Sequence, residues 1–275
     1  MPLPPPALMR RVGHGDTASD EQVAIEYDRV GADIRAVVLG ALPDDWVSPD
    51  RRILDFGAGA GRALRHLAPE AAAGVELWGC DIDVPSIAWA QRHLPWFTFI
   101  QNGEAPPLAA PDEHFDLVYA MSVFTHLTDW WADWLIELHR VLKPGGLLIS
   151  TFLGRSMHER LLGDPFDERK VGMMVTRPGA SWDAGGPIVF HSRWWLEAHW
   201  SPAFDLLRID DDALLHGTDT AGHGLVVGRR AAGRPDRDAM LAPVAGEPRE
   251  ATAALENVRR LSGELEWLRR AGAGA

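Results

Sequence analysis

The residues best placed to do chemistry lie in one run, Asp55-Phe56-Gly57-Ala58-Gly59-Ala60-Gly61-Arg62, where an apolar segment meets three glycines and then a cation. Glycines at such a turn allow positive φ and let a ligand come close to the main chain. If the segment before them is a first strand, the turn sits in the crevice where open α/β sheets hold ligands. A dinucleotide loop needs a third glycine where this chain has Arg62, so the G-x-G-x-x-G spacing fails. Asp55 points the same way: a carboxylate there opposes a pyrophosphate but suits a zwitterionic amino-acid tail. Roughly twenty residues on, Trp78-Gly79-Cys80-Asp81-Ile82-Asp83 ends a second apolar segment in a carboxylate able to accept from both hydroxyls of a ribose. The alternative for Asp81 is a turn or cap residue, and Asp83, just before Pro85, suits capping the next helix as well as it suits ligand contact.

These residues need elements to hold them, and the hydropathy pattern supplies an alternation of strands and helices. Positions 23, 27, 30, 34, 37 and 38 share one helical face. Strands are expected at 52–56, 75–80, 96–101, 115–121 and 147–152, and helices at 60–67 (ended by Pro69), 85–93 and 129–142 (capped by Asp129 and stopped by Lys143-Pro-Gly-Gly). Such alternation implies parallel pairing with right-handed crossovers. Two further strands, 204–209 and 224–229, read as the antiparallel pair closing the sheet. A helical turn is expected at 157–162 and a helix at 192–200 within an otherwise weakly patterned stretch, and residues 1–20 read as extended or mobile. Residues 231–248 read as a linker. Beyond them, Ala254, Val258, Leu261, Leu265 and Leu268 form a short heptad seam, which suits packing on the domain or a homodimer through 249–270.

Composition sets bounds. The chain has 275 residues, 46% of them hydrophobic, enough for a sizeable core. A net charge of −12 disfavours nucleic acid and anionic membranes as partners. The one cysteine, Cys80, excludes a disulfide framework and lies in an apolar run suited to a buried thiol. Met-Pro-Leu-Pro-Pro-Pro does not resemble a signal peptide and no run reaches the roughly 18 apolar residues of a spanning helix, so a cytoplasmic location is expected. No His/Cys/Asp cluster has metal-ligand spacing, so no metal is expected.

Taken together, Ile53–Arg62, Gly79–Asp81, Asn102–Leu108, Phe115–Leu127 and Arg140–Leu147 resemble the core of class I S-adenosylmethionine-dependent methyltransferases, of the small-molecule type. The resemblance covers roughly residues 50–150, less securely to 230. It implies a doubly wound, mostly parallel seven-stranded Rossmann-like α/β sheet with helices on both faces and a C-terminal helical extension. The domain reading is an N-terminal arm and lid helix (1–50), a core (51–230) with an acceptor-site insertion (153–203), and a linker with an amphipathic helix (231–275). The implied cofactor is S-adenosyl-L-methionine. Gly57, Gly59 and Asp55 match the loop receiving its methionine part, with Arg62 able to pair with its carboxylate or to be solvated. Asp81 matches the ribose-binding acid and Ile82 the apolar cover on adenine. Asn102, beside Gly103, stands where many relatives carry an aspartate; its amide can accept from the adenine amino group and donate to the ring, or simply form an Asn-Gly turn. Met121 and Ser122 fall beside the expected methyl group, and Tyr27 either closes over the cofactor or packs in the core.

The implied reaction is methyl transfer to a small-molecule or glycosylated acceptor, at oxygen in preference to nitrogen or carbon. The strand end Ala-Met-Ser-Val-Phe-Thr-His lacks the Asn/Asp-Pro-Pro-aromatic form typical of base and amide methylation. His126, just past that strand, is the candidate base, with loop packing as its alternative. Trp182, His191 and Arg193 are the candidate acceptor contacts, although tryptophans in this stretch also suit core packing. Two other classes stay open: a dehydrogenase on a similar sheet, opposed by Arg62, and a methyltransferase-like binding scaffold whose C-terminal helix recruits a partner.

Overall fold

The computed structural model describes residues 1–12, 18–182, 185–211, 213 and 222–272. Its strands are β1 (Arg52–Phe56), β2 (Glu76–Asp81), β3 (Thr98–Gln101), β4 (Phe115–Ala120), β5 (Leu142–Leu153), β6 (Met173–Thr176), β7 (Ile188–His191), β8 (Phe204–Asp210) and β9 (His223–Arg230). Its α-helices are α1 (Pro6–Met9), α2 (Asp20–Gly40), α3 (Ala68–Ala72), α4 (Val84–His93), α5 (Trp131–Val141), α6 (Arg155–Leu162), α7 (Arg193–Trp200), α8 (Arg237–Leu241) and α9 (Arg249–Gly272). Strands β3-β2-β1-β4-β5 are parallel and in that order. β9 runs antiparallel to β5 and β8 antiparallel to β9, as the sequence pattern predicts.

Period-2 alternation decides what each face of the sheet buries. Leu117, Tyr119, Ile149, Leu225 and Val227 pack with Val30, Ile34 and Val38 of α2 and Ile87 and Ala90 of α4. Val118, Ala120, Leu148, Phe152 and Val226 pack on the opposite face with Trp131, Trp134 and Leu135 of α5 and Trp194 to Trp200 of α7. Both faces are therefore covered, and β4 is buried along its whole length, with Asp116 its one charged residue. Each large side chain buried this way contributes about 1.5–3 kcal/mol of transfer free energy. Most of the tryptophan clusters are core, with Trp134 and Trp200 fully buried.

The departures from expectation have local causes. The sheet has nine strands, because the stretch between β5 and α7 forms a β6–β7 hairpin. β4 ends opposite Ser150, and β7 takes the vacated edge of β5 at the pairing of Leu153 with Phe190. The hairpin thus stands over the carboxyl end of β4. The expected helix over 60–67 is a turn and a 3-10 segment at Leu64–Leu67; Pro69 opens α3 instead of ending a helix, since its missing N–H costs nothing in a first turn. Asp129 caps nothing: Trp130 is the N-cap of α5, without a side-chain cap bond. Residues 1–12 are neither extended nor loose, with Pro6–Met9 helical, Met9 buried, and Arg65 bonded to the carbonyls of Met1 and Pro2. The linker contains α8, capped by Asp236 and anchored by buried Met240.

The C-terminal helix packs back on the domain mainly through residues off its heptad seam, of which Leu261 is half-buried. Asn257 Oδ1 accepts from Val175 N–H at 2.9 Å and Glu264 Oε2 from Arg177 N–H at 2.8 Å, so α9 satisfies outer-edge amides of the hairpin. Val258, Leu265 and Leu268 remain exposed. No described helix is long and apolar enough to cross a membrane.

Candidate functional site

Strand β1 delivers Asp55 and Phe56 to the carboxyl edge of the sheet, where Gly57, Gly59 and Gly61 adopt φ of +89°, +53° and +76°. These left-handed values are open to glycine and strained for other residues. The loop is pinned to β2: the amides of Gly57 and Ala58 both donate to Cys80 O at 2.9 Å. Gly59 N–H donates to Asp81 Oδ2 at 2.7 Å, and Asp83 N–H to Asp81 Oδ1 at 2.8 Å. Asp81 therefore orients the glycine turn, and each of its oxygens keeps a further lone pair for a ligand. Asn102 N–H donates to Asp81 O at 3.1 Å, which brings the end of β3 into the same array. Its Nδ2 donates to Gly103 O at 2.8 Å, while its buried Oδ1 has no partner among the described residues. Ile82 lies between the two acids, half-buried.

Asp55, Gly57, Arg62 and Met121 meet around a cavity of ≈ 280 Å³, part of it open to solvent, completed by Val12 and Ile34. Asp55 is buried there, and desolvation pushes its pKa up to about 7; the Tyr119 hydroxyl and Arg62 oppose the shift and the Asp81 charge adds to it. Burial also raises Asp81, against the backbone amides that favour its charged form. Arg62 is not a solvated helix arginine: it lies 5.9 Å over the Tyr27 ring and donates to Val12 O at 3.3 Å, and burial lowers its pKa. Tyr27 is fully buried with Met9 and Val23, so it packs under the N-terminal segment and flanks the cavity through Arg62.

The roof has two parts. The turn at residues 10–12 lies across the glycine loop, with Arg11 Nη1 2.5 Å from Asp83 Oδ1 and its guanidinium 5.7 Å over the Trp182 ring. Asp83 makes no cap bond to α4 and instead holds Arg11 and the Ser86 hydroxyl. The loop between β6 and β7 supplies Trp182 and Pro187, and Val189 N–H donates to Thr125 O at 2.8 Å, tying the hairpin to the loop after β4. On that loop His126 Nδ1–H donates to Pro187 O at 2.8 Å. That bond leaves Nε2 as the lone-pair nitrogen, and burial lowers the ring's pKa, so it is neutral near pH 7.

Ser122 adopts φ +59°, an uncommon conformation for serine, held by its N–H to Thr151 Oγ1 at 2.7 Å. Its Oγ lies 3.5 Å from His223 Nε2. His223 is the site residue that pattern reading missed: it opens β9 one position before the expected strand. Arg11 and Val12 were also missed, in a proline- and arginine-rich segment with no periodic signal. The three expected acceptor residues are divided. Trp182 stands in the roof near His126, whereas His191 and Arg193 line a separate cavity beyond β5. Among the described residues no cluster could hold a metal ion.

The glycine turn, the carboxylate and the roof gather at the carboxyl edge of the parallel strands, and comparison with known proteins shows what this part of the chain is similar to. Residues 54–150 match the family described as "Methyltransferase domain". The chain is 34% identical over 139 residues to a ubiquinone biosynthesis O-methyltransferase of Cereibacter sphaeroides, half of each chain. It is 29% identical over 126 residues to a probable chloroplastic tocopherol O-methyltransferase of Oryza sativa, covering 44% of this chain and 34% of that one. The chain thus spans about half the length, or less, of these curated relatives. Among solved structures, a putative S-adenosylmethionine-dependent methyltransferase from Listeria monocytogenes superposes with a TM-score of 0.54 at 14% identity, over 74% of this chain and 99% of that one. The [4+2]-cyclase SpnF superposes at 0.53 with 19% identity, over 80% and 86%. These last likenesses show the fold. Residues 54–150 match a methyltransferase domain, and the chain shares its fold with solved S-adenosylmethionine-dependent methyltransferases.

Proposed function

We propose that the chain is an S-adenosyl-L-methionine-dependent methyltransferase acting at oxygen on a small-molecule or glycosylated metabolite. The observation that carries the reading is the array Asp55, Gly59–Asp81 and Asn102 along three adjacent strand ends, with one buried acceptor unsatisfied. An adenosyl amino acid fits it. The orphaned Asn102 Oδ1 suits an adenine amino group, the remaining lone pairs of Asp81 suit ribose hydroxyls, and Ile82 offers an apolar face. Asp55 suits an ammonium and Arg62 a carboxylate at opposite ends of the amino-acid tail. When bound, the sulfonium supplies an electrophilic methyl group.

The chain's own residues would align the acceptor, exclude water and take a proton. Arg11, Val12 and Trp182 roof the crevice, and positioning alone supplies several orders of magnitude in rate. His126 Nε2 is the candidate acceptor of the hydroxyl proton, with the Pro187 carbonyl fixing the tautomer. The O-methyltransferase names of the similar proteins support oxygen as the target. A cytoplasmic setting suits the free, buried Cys80. The exposed stripe Val258, Leu265, Leu268 supports a homodimer through 249–270, or, on a second reading, a scaffold role with weak catalysis.

Calorimetry with S-adenosylhomocysteine and with NAD tests the cofactor, and transfer of a labelled methyl group to a panel of phenols and glycosides tests the reaction. Heat with the first ligand alone is expected. No heat from folded protein with either would overturn the reading.

A further inference from the structure

We propose that Arg177 and Glu264 are positioning residues for His126: α9 fixes a left-handed turn from which the Arg177 guanidinium braces the loop that holds the imidazole. Calling His126 a proton acceptor rests on the methyl-transfer reading; the link itself does not.

Arg177 follows β6 and adopts φ +54°, a backbone region that residues other than glycine rarely enter. Strain of this kind persists where surrounding contacts over-determine it. Here the peptide is clamped on both sides. Glu264 Oε2 of α9 accepts from Arg177 N–H at 2.8 Å across 87 positions, and Ala180 N–H donates to Arg177 O at 3.2 Å. Helix α9 lies outside the matched residues 54–150, so the clamp belongs to this chain's own extension.

The tip of the same loop joins the two side chains. Gly185 and Gly186 adopt φ of +87° and +56°. A Cβ on Gly185 would lie 3.5 Å from Arg177 Nη1, and one on Gly186 would lie 3.3 Å from His126 Nδ1. Neighbouring residues of one turn therefore pack on the guanidinium and on the imidazole. Gly186 N–H donates to Ser181 O at 2.8 Å, and the next residue, Pro187, accepts from His126 Nδ1 at 2.8 Å. The carbonyl that fixes the tautomer thus hangs on the turn that Arg177 supports.

Charge acts in the same direction. His126 keeps an exposed face, the access that a proton acceptor needs. Desolvation on its loop side lowers the ring's pKa, the Pro187 carbonyl opposes this, and the Arg177 charge lowers it further. The lone pair on Nε2 is the form that takes a proton, so a cation held beside the ring favours the working state. Arg177 is itself exposed, so its field is open to screening by salt.

The test is NMR of isotope-labelled histidine rings in the full chain, with His126 assigned by the signal lost in His126→Gln, together with amide exchange at Arg177. Arg177→Gln should raise the pH at which His126 titrates, and high salt should raise it in the native chain. Should Arg177→Gln fail to fold, the salt series decides. Glu264→Ala should speed exchange of the Arg177 amide about tenfold, the loss of roughly one hydrogen bond, and move the His126 titration upward. Glu264→Gln keeps an acceptor and should restore both. A His126 titration indifferent to Arg177→Gln and to salt, or a Glu264→Gln chain as disturbed as Glu264→Ala, would overturn the link. S-adenosylhomocysteine titrated into the same samples separates the two ideas. Cofactor heat with an unmoved His126 sinks the link alone, and a responsive His126 without cofactor heat sinks the methyltransferase reading alone.

Discussion

The amide of Gly59 donates to Asp81 Oδ2 at 2.7 Å, so the glycine turn after β1 and the acid after β2 are one unit. Replacing Asp81 frees the glycine turn and, on the proposed reading, also removes a contact to the ligand. Asp81→Ala should weaken S-adenosylhomocysteine binding at least about tenfold, the scale of a lost charge-assisted bond, measured by calorimetry. Unchanged affinity would move the ribose contact elsewhere.

Asn102 Oδ1 is buried and has no partner among the described residues. Its worth should therefore show as base discrimination. The native chain should prefer S-adenosylhomocysteine over the inosine analogue, which lacks the amino group, and Asn102→Ala should reduce that preference to within about threefold. A retained preference in competition binding would show that another group reads the base.

Burial holds Asp55 at about 7, above the usual carboxylate range. The native state thus keeps this proton where the unfolded chain loses it, and stability falls as pH rises from about 4 through 7. Asp55→Asn removes that loss. Its melting temperature should exceed the native value by several degrees at pH 8, with the difference shrinking toward pH 4. A cofactor ammonium beside Asp55 would reverse the shift, so binding near pH 6.5 should release a proton, read as a dependence of calorimetric heat on buffer ionisation enthalpy.

Arg11 joins Asp83 to Trp182 across the crevice at the glycine turn. Arg11→Ala should speed release of bound S-adenosylhomocysteine by about three- to tenfold, the worth of a partly buried pair, while the melting temperature without ligand moves little. Stopped-flow displacement reads the rate, and an unchanged rate would assign the strap no part in retention.

Helix α9 satisfies two amides at the outer edge of the hairpin that roofs β4. Deleting 249–275 should leave cofactor affinity within about twofold and expose that edge to association. Val258→Glu with Leu265→Glu leaves the bracing contacts in place. In light scattering this pair should convert any dimer to monomer; a dimer that survives it forms through another surface.

Much of this protein is legible in its sequence because the information is local. Three glycines after an apolar strand, a carboxylate ending the next, and the mostly apolar runs of β4 and β5 need no tertiary partner to be read, since φ preference and local hydrophobicity act within a few residues. Only tertiary structure decided the rest. β6 and β7 are four-residue strands whose partners are each other and the tip of β5, so nothing within them announces a sheet. The pairing of Arg11 with Asp83 and the nearness of Ser122 to His223 bridge 72 and 101 positions. The division of Trp182 from His191 follows from where the hairpin folds over. Contacts of that range come from which surfaces remain to be buried once the sheet has formed, and no residue pattern within a single element encodes them.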